Sequence, residues 1–473
     1  MIDLDPLFYP KTVAVIGASP QIVRDRAGFF NSLRECYTGN LYPVNPNHQE
    51  IHGIKCYPSI SDIPEEIDYA YIMLPRERVL PVLEDCVRAK TKFVLVFTSG
   101  FSELGEQDLE KRLVEIARRG KTRIIGPNCI GVHCSESGVV YYPPLKQAEP
   151  GDVGYFSQSG GHALNFLIRG ISLRIGFNKV ISVGNQADIT NEDILEYFAN
   201  DENIKYICGY VEDIKDGRRF KELARYIILE KKKPLILWKG GRSEEGTRAT
   251  QSHTGAMAIP AQVWDSIMSQ LGVINAETQE EMGDILFALR FGFLPRGLRT
   301  CIAVAGGGSS VELTDAVSQN GLSVPTLSPE VRDKIARDIS QVNTSTRNPI
   351  DLGMFGFDPN IFVNAATQSA LDPNVDIVLV CQYPEMSRFM VKELWDESVR
   401  VMVKGLATVK KPVVIVIPRI FQNNPELEGI RAGFVDKLIE GGIPSFPSAE
   451  RASRVACKIY KYRQFMEKHG VSL

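Results

Sequence analysis

Histidine is scarce in this chain, six residues in 473, and tryptophan scarcer still at three. An excess of charge of either sign is also missing, since 54 basic side chains face 57 acidic ones and leave a net charge of -3. That balance gives no electrostatic footprint for nucleic acid or an anionic membrane surface. The nine cysteines (36, 56, 86, 129, 134, 208, 301, 381 and 457) form no CxxC or CxxH pair. Metal-ligand spacing is therefore absent, no metal site is expected, and scattered thiols suit a reducing compartment. No apolar run approaches the ~18 residues of a membrane span, and the start MIDLDPLFYP has neither the basic nor the apolar part of a signal peptide. The expectation is a soluble, cytoplasmic protein acting on small molecules with protein partners, without nucleic acid or membrane.

What is present is a recurrent pattern. Short runs rich in valine and isoleucine, bounded by glycine or proline, alternate with longer amphipathic stretches, which is how a parallel α/β sheet reads. TVAVIGAS, LYPVNP, YAYIML, KFVLVFTSG and TRIIGPN make a first domain over residues 1–145. The proline-bearing stretch 138–151 serves as a linker, and FGFLPRGLR at 291–299 marks a second break. The segments 150–292 and 298–473 then read as copies of one unit. VGYFSQSGG, GNQADI, YVED and KKPLILWKGGR in the first are matched in order by CIAVAGGGSS, RNPIDL, CQYPE and KKPVVIVIPR in the second.

VAVIGASPQ delivers a strand into a tight turn, where backbone N–H groups suit a phosphate. The dinucleotide fingerprint is missing, because Gly17 is followed by Ala18, Ser19 and Pro20 and the second strand ends in VNPN without an acid. An NAD-linked dehydrogenase is thereby disfavoured. GPNC at 126–129 ends the last strand of this domain at the sheet edge that binds ligands in open α/β folds. SQSGG and AGGGSS each place small residues before an amphipathic helix, and both helix starts suit an anion, although neither is a P-loop.

His253 lies in QSHTGAMA, beyond the polar, glycine-bearing run KGGRSEEGTRAT, in a stretch that the second copy lacks. Such an insertion on a rigid scaffold is read as a functional loop, with Ser252 and Thr254 beside the imidazole. Three roles stay open: a phosphoryl carrier, a general base, or a surface residue. A carrier needs one ring nitrogen held by a carboxylate, and Glu212, at the end of YICGYVED, is the natural partner. His162, in the first turn of the SQSGG helix, is a candidate for an anion contact or a plain packed histidine.

Taken in order, VAVIGASP, LYPVNP, SGFSELG, IIGPNCIGV, FSQSGG, SVGNQADI, YVEDI, KGGRSEEG, SHTGAMA, NPIDL and GIPSFPSAERA resemble the α chain of ADP-forming acyl-CoA synthetases, related to succinyl-CoA synthetase. The resemblance implies an N-terminal Rossmann-like domain that binds coenzyme A, followed by two flavodoxin-like ligase domains. It implies that His253 becomes a phosphohistidine positioned by Glu212. Ser159, Gly160 and Gly161 at one helix start, and Gly307, Gly308 and Ser309 at the other, would hold the phosphate. Coenzyme A would lie along Gly17, Ser19, Pro20, Val44, Asn45, Pro46, Pro75, Ser99 and Gly100, with its thiol toward Asn128. The implied reaction joins a small carboxylic acid to coenzyme A with ATP, through an acyl phosphate. ATP/ADP and Mg2+ would sit mainly on a separate ATP-grasp β chain in a hetero-oligomer, with the histidine segment swinging between sites. A non-catalytic coenzyme A sensor or scaffold is the alternative. Two departures from the family pattern are Gly161–His162 after SQSG, and Ser309–Ser310 where Pro-Gly is usual.

Overall fold

The computed structural model describes residues 2–20, 26–142, 145, 150–254, 259–340 and 342–473, except the side chains of 26–27 and 251–254. The chain divides into two compact units, Met1–Met282 and Gly283–Leu473.

Among the described residues, the first unit holds two large sheets and a two-stranded antiparallel ribbon of Glu50–Ile51 and Ile54–Lys55. In the N-terminal sheet, β1 (Thr12–Ile16), β2 (Asn40–Val44), β3 (Tyr69–Ile72), β4 (Phe93–Val96) and β5 (Arg123–Ile125) are all parallel, in the order β2-β1-β3-β4-β5. Every residue of β1, β3 and β4 is buried, as a parallel sheet covered on both faces requires. The second sheet contains β6 (Gly131–His133), β7 (Pro150–Ser157), β8 (Phe177–Ser182), β9 (Tyr206–Val211), β10 (Leu235–Lys239) and β11 (Ile274–Ala276), ordered β11-β10-β9-β7-β8-β6. Only β6 runs antiparallel, pairing Val180 with His133 at the sheet edge. This strand lies inside the stretch read from sequence as the first domain, yet it completes the second sheet.

Side chains clasp the two sheets. Arg123 of β5 forms a bidentate pair with the buried Asp188, at 2.7 and 3.1 Å. Tyr197 donates to Asp5 at 2.6 Å, its ring stacks on Phe8 at 5.6 Å, and the ammonium of buried Lys179 lies 4.9 Å from the centre of the Tyr9 ring.

The second unit is built on β12 (Thr300–Val304), β13 (Ile350–Asp351), β14 (Ile377–Cys381), β15 (Val413–Val416) and β16 (Ser445–Phe446), parallel throughout and ordered β13-β12-β14-β15-β16. Strands β7 to β11 follow that winding, so the duplication read from motif order corresponds to a shared topology. Arg451, from the final GIPSFPSAERA motif, grips Asp284 with two hydrogen bonds of 2.7 Å and ties the C-terminal helix Ala449–Lys468 to the start of this unit. Among the described residues, no helix is long and apolar enough to cross a membrane.

Candidate active site

Open α/β sheets bind ligands beyond the carboxyl ends of their strands, where the strand order reverses. In the N-terminal sheet that point lies between β1 and β3. A cavity of ≈ 760 Å³ opens there, lined by Gly17, Ser19, Val44, Asn45 and Pro46, with Leu74 and Arg78 opposite. Gly17 has φ +91°, and a Cβ on it would come within 2.7 Å of the Met73 carbonyl oxygen, so β1 and β3 approach this closely only around a glycine. Asn45 donates to the Ala18 carbonyl at 2.8 Å and holds the two lining turns together.

A second cavity, of ≈ 530 Å³, shares Leu74 with the first. Its lining includes Pro75, Ser99, Asn128 and Cys129 together with Gln158, Ser159, Gly160 and Gly161. Coenzyme A and phosphate candidates that are far apart in sequence thus face a common space within one unit. Pro20 and Gly100 line neither cavity. Gly100 instead accepts from Arg76 at 3.0 Å and donates to Glu103. Burial pushes the Cys129 thiol up to about 12, which makes it an inert wall at neutral pH.

The helix Gly160–Ser172 begins at this cavity. Ser159 is its N-cap, accepting from the His162 N–H at 3.3 Å. Its first turn leaves backbone donors at a positive dipole end, worth ~0.3–1 kcal/mol toward an anion. The His162 imidazole packs edge-on against Tyr210 and Trp238, with ring centres 4.6 and 4.7 Å away.

Glu212 follows β9 directly and is 4 % exposed. The Tyr210 hydroxyl donates to its carboxylate at 3.0 Å. Burial, then the Glu212 charge, raise Tyr210 far above the usual tyrosine range, so the phenol stays a donor. Gly240 permits this contact, because a Cβ there would overlap the Tyr210 hydroxyl. Nearby Lys239 is held below the ordinary lysine value by burial and by Arg242.

The stretch after β10 differs from the loop expected of it, since Glu244–Thr254 is helical. Local chemistry accounts for that. Ser243 caps the Gly246 N–H at 3.0 Å, Glu244 and Glu245 occupy the positive first turn, and Thr250 satisfies the Thr247 carbonyl at 2.9 Å. The backbone of His253 falls in the last turn; its side chain lies outside the described residues, as do those of Ser252 and Thr254. The helix packs against the turn Ser102–Leu104 of the SGFSELG motif. That motif is bound to the second sheet through Asn185, which donates to Ser102 at 3.2 Å and to Glu103 at 2.5 Å.

In the second unit, the helix Gly307–Gln319 starts from Gly306, whose N–H donates to Asp351 at 3.0 Å. Gly307 and Gly308 form its first turn, and Ser309 accepts from the Tyr383 hydroxyl at 2.8 Å, which gives the unusual serine a partner. Among the described residues, no group of His, Cys, Asp and Glu is arranged to hold a metal ion.

Sequence reasoning missed Gln158, Gln186, Asn191, Tyr210 and Asp213. All five are buried, and hydrogen bonds link Gln158, Gln186, Asn191 and Asp213 to one another while Tyr210 and Gln158 reach Glu212.

Comparison with known proteins bears on this geometry. Residues 11–135 match the CoA binding domain family, and residues 150–289 the succinyl-CoA ligase-like flavodoxin domain family. The α subunit of the Pyrococcus furiosus ADP-forming acetate–CoA ligase I is 37% identical over 99% of both chains. This chain belongs to the ADP-forming acyl-CoA synthetases. The α subunit of the second such Pyrococcus ligase is 34% identical over 97% of this chain and 96% of its own. The solved acetyl-coenzyme A synthetase 1 of Ca. Korarchaeum cryptofilum, in complex with phosphate and ADP, superposes with a TM-score of 0.81 at 31% identity, covering 100% of this chain and 99% of that one. The synthetase chain is thus an acid–thiol ligase of the α-subunit type, and its parallel-sheet domains, CoA-binding and then succinyl-CoA ligase-like, follow the family order.

Proposed function

We propose that this chain runs the phosphoryl relay of acyl-CoA synthesis, with His253 as the carrier and Glu212 holding its imidazole. Ser159, Gly160 and Gly161 receive the phosphate, and Gly307, Gly308 and Ser309 are their counterparts in the second unit. Coenzyme A occupies the cavity at Gly17, Ser19, Val44, Asn45 and Pro46 and reaches past Pro75 and Ser99 toward Asn128. Pro20 and Gly100 are proposed as outer contacts only. The observation that carries this reading is the cavity of ≈ 530 Å³ lined both by Pro75, Ser99 and Asn128 and by Ser159, Gly160 and Gly161.

The steps balance. An imidazole nitrogen attacks the γ-phosphorus of ATP and ADP leaves. A carboxylate oxygen of a small acid then attacks the phosphohistidine, which gives an acyl phosphate and returns neutral imidazole. The coenzyme A sulfur attacks the acyl carbon, the C–O bond to phosphate breaks, and the thiol proton leaves with phosphate. Phosphate replaces a poor oxide leaving group, and the helix N–H donors meet the charge as it spreads. ATP and Mg2+ belong to an ATP-grasp β chain, a partner supported by the α-subunit type of the relatives. Free cysteines, eight of the nine buried, support a cytoplasmic setting.

Incubating the chain with acetyl-CoA and labelled phosphate tests the reading in reverse. An acid-labile, base-stable adduct is expected, absent in His253→Ala and slow to form in Glu212→Gln. No adduct in the wild type, with coenzyme A still bound, would leave the sensor alternative standing.

A further inference from the structure

Glu212 does not hold its place through its own side chain alone. Gln158, the second residue of SQSG, is 3 % exposed and turns both atoms of its amide to the segment after β9. Its Oε1 accepts from the backbone N–H of Glu212 and, at 3.1 Å, from that of Asp213, while its Nε2 donates to the Asp213 carboxylate at 2.7 Å. Gln186 donates to the same carboxylate oxygen at 3.0 Å, and Asn191 donates to Gln158 at 3.4 Å. Gln158 also lines the cavity of ≈ 530 Å³ next to Ser159 and Gly160. One side chain therefore fixes the phosphate-helix start and the Glu212 backbone relative to each other.

We propose that Gln158 is a positioning residue of the phosphoryl relay, setting the distance between the Glu212 carboxylate and the Gly160 helix start. This rests on the role of Glu212 and His253 given above. Both halves of the amide are needed. An acceptor must meet two N–H groups of the chain, and a donor must meet Asp213, whose other oxygen already pairs with Lys215 at 2.9 Å. A glutamate at 158 keeps the acceptor and loses the donor, setting two carboxylates against each other beside Glu212. Lys215 and Lys239 are the nearby cations whose charge acts on this group. Acidification supplies a proton for the two carboxyls to share and restores the missing bond. A methionine has similar volume and restores nothing at any pH.

The test measures labelling from acetyl-CoA and labelled phosphate for wild type, Gln158→Glu and Gln158→Met between pH 5.5 and 8, each as a ratio to wild type at the same pH. Coenzyme A binding by calorimetry serves as the check on folding. The expected result is roughly tenfold or greater loss for Gln158→Met at every pH. Gln158→Glu should be equally poor at pH 8 and recover toward wild type at pH 5.5, both variants binding coenzyme A normally. Equal, pH-independent losses in the two variants, or wild-type labelling at pH 8 in either, overturn the proposal. Wild-type protein that fails to label overturns the relay itself, a result separate from any difference among the variants.

Discussion

Tyr210→Phe removes one oxygen and leaves the ring contacts with His162 and Trp238, at 4.6 and 4.5 Å, in place. What disappears is the 3.0 Å hydrogen bond to the buried Glu212 carboxylate. A hydrogen bond to a charged group is worth ~1.5–3 kcal/mol. If the bond aims the carboxylate at the His253 ring, that energy appears in the barrier, and adduct formation from acetyl-CoA and phosphate slows about 10- to 150-fold. The apparent KM for phosphate should change less than about twofold, because the Gly160 helix start is untouched. Gly240→Ala attacks the contact from the opposite side, by pushing a methyl group into the space of the Tyr210 hydroxyl. It should give the same defect, and the double variant should be no slower than the slower single one, since both act through one bond. Rapid-quench labelling per folded molecule, with the folded fraction taken from urea titration, separates function from stability. A Tyr210→Phe protein that labels at the wild-type rate while its urea midpoint falls would show that the bond serves the fold alone, and the orienting argument would fail.

Other consequences follow from single contacts. Gly17→Val puts a β-branched residue at φ +91° against the Met73 carbonyl and should weaken coenzyme A binding about tenfold or more by calorimetry; unchanged affinity in a folded variant would move the ligand elsewhere. Burial lowers His133 to about 3, so the unfolded chain takes up a proton near pH 6.5 that the folded chain refuses. Stability is therefore full above that pH and declines as pH falls toward 3, by roughly 1 kcal/mol between pH 7.5 and 5.5, and His133→Gln should remove this increment in urea titrations at the two pH values. Ser309→Ala deprives the Tyr383 hydroxyl of its acceptor at 2.8 Å and should cost the second unit ~1 kcal/mol, read by amide exchange in the helix Gly307–Gln319.

The strands are legible because buried parallel strands are continuous apolar runs: VAVI, YAYI and FVLV are such runs, and each is wholly buried. Partner choice was not legible. Gly131–His133 is three residues long, and nothing in GVH says that it pairs with Val180 rather than with its neighbours in sequence. The helix Glu244–Thr254 was hidden for another reason. EEGTRATQSHT carries a glycine and three threonines and has no apolar face, so periodicity had nothing to detect, and the cap at Ser243 with two acids after it was the signal available. Gln158 was invisible as chemistry because a glutamine has no local signature. Its meaning lies in Glu212 and Asp213, more than fifty residues away along the chain.

The Asn-x-x-Asp motif, found in both copies of the duplicated unit, shows how one pattern was put to two uses. In the first copy Asp188 reaches outside its own sheet to Arg123 and to the Ile124 N–H at 3.0 Å, while Asn185 engages Ser102 and Glu110. The motif there fastens a ligase sheet to the sheet that precedes it, which is what a cavity with walls from both sheets needs if its lining is to hold position. In the second copy Asp351 accepts from Gly306 and Gly353 at 3.0 and 2.9 Å, and Asn348 holds Ile302 and the Thr300 carbonyl, all within one unit. The same residues there brace a glycine turn from inside. Two units of shared topology thus present similar helix starts, and the same aspartate ties the first to the N-terminal sheet while in the second it braces a turn of its own unit.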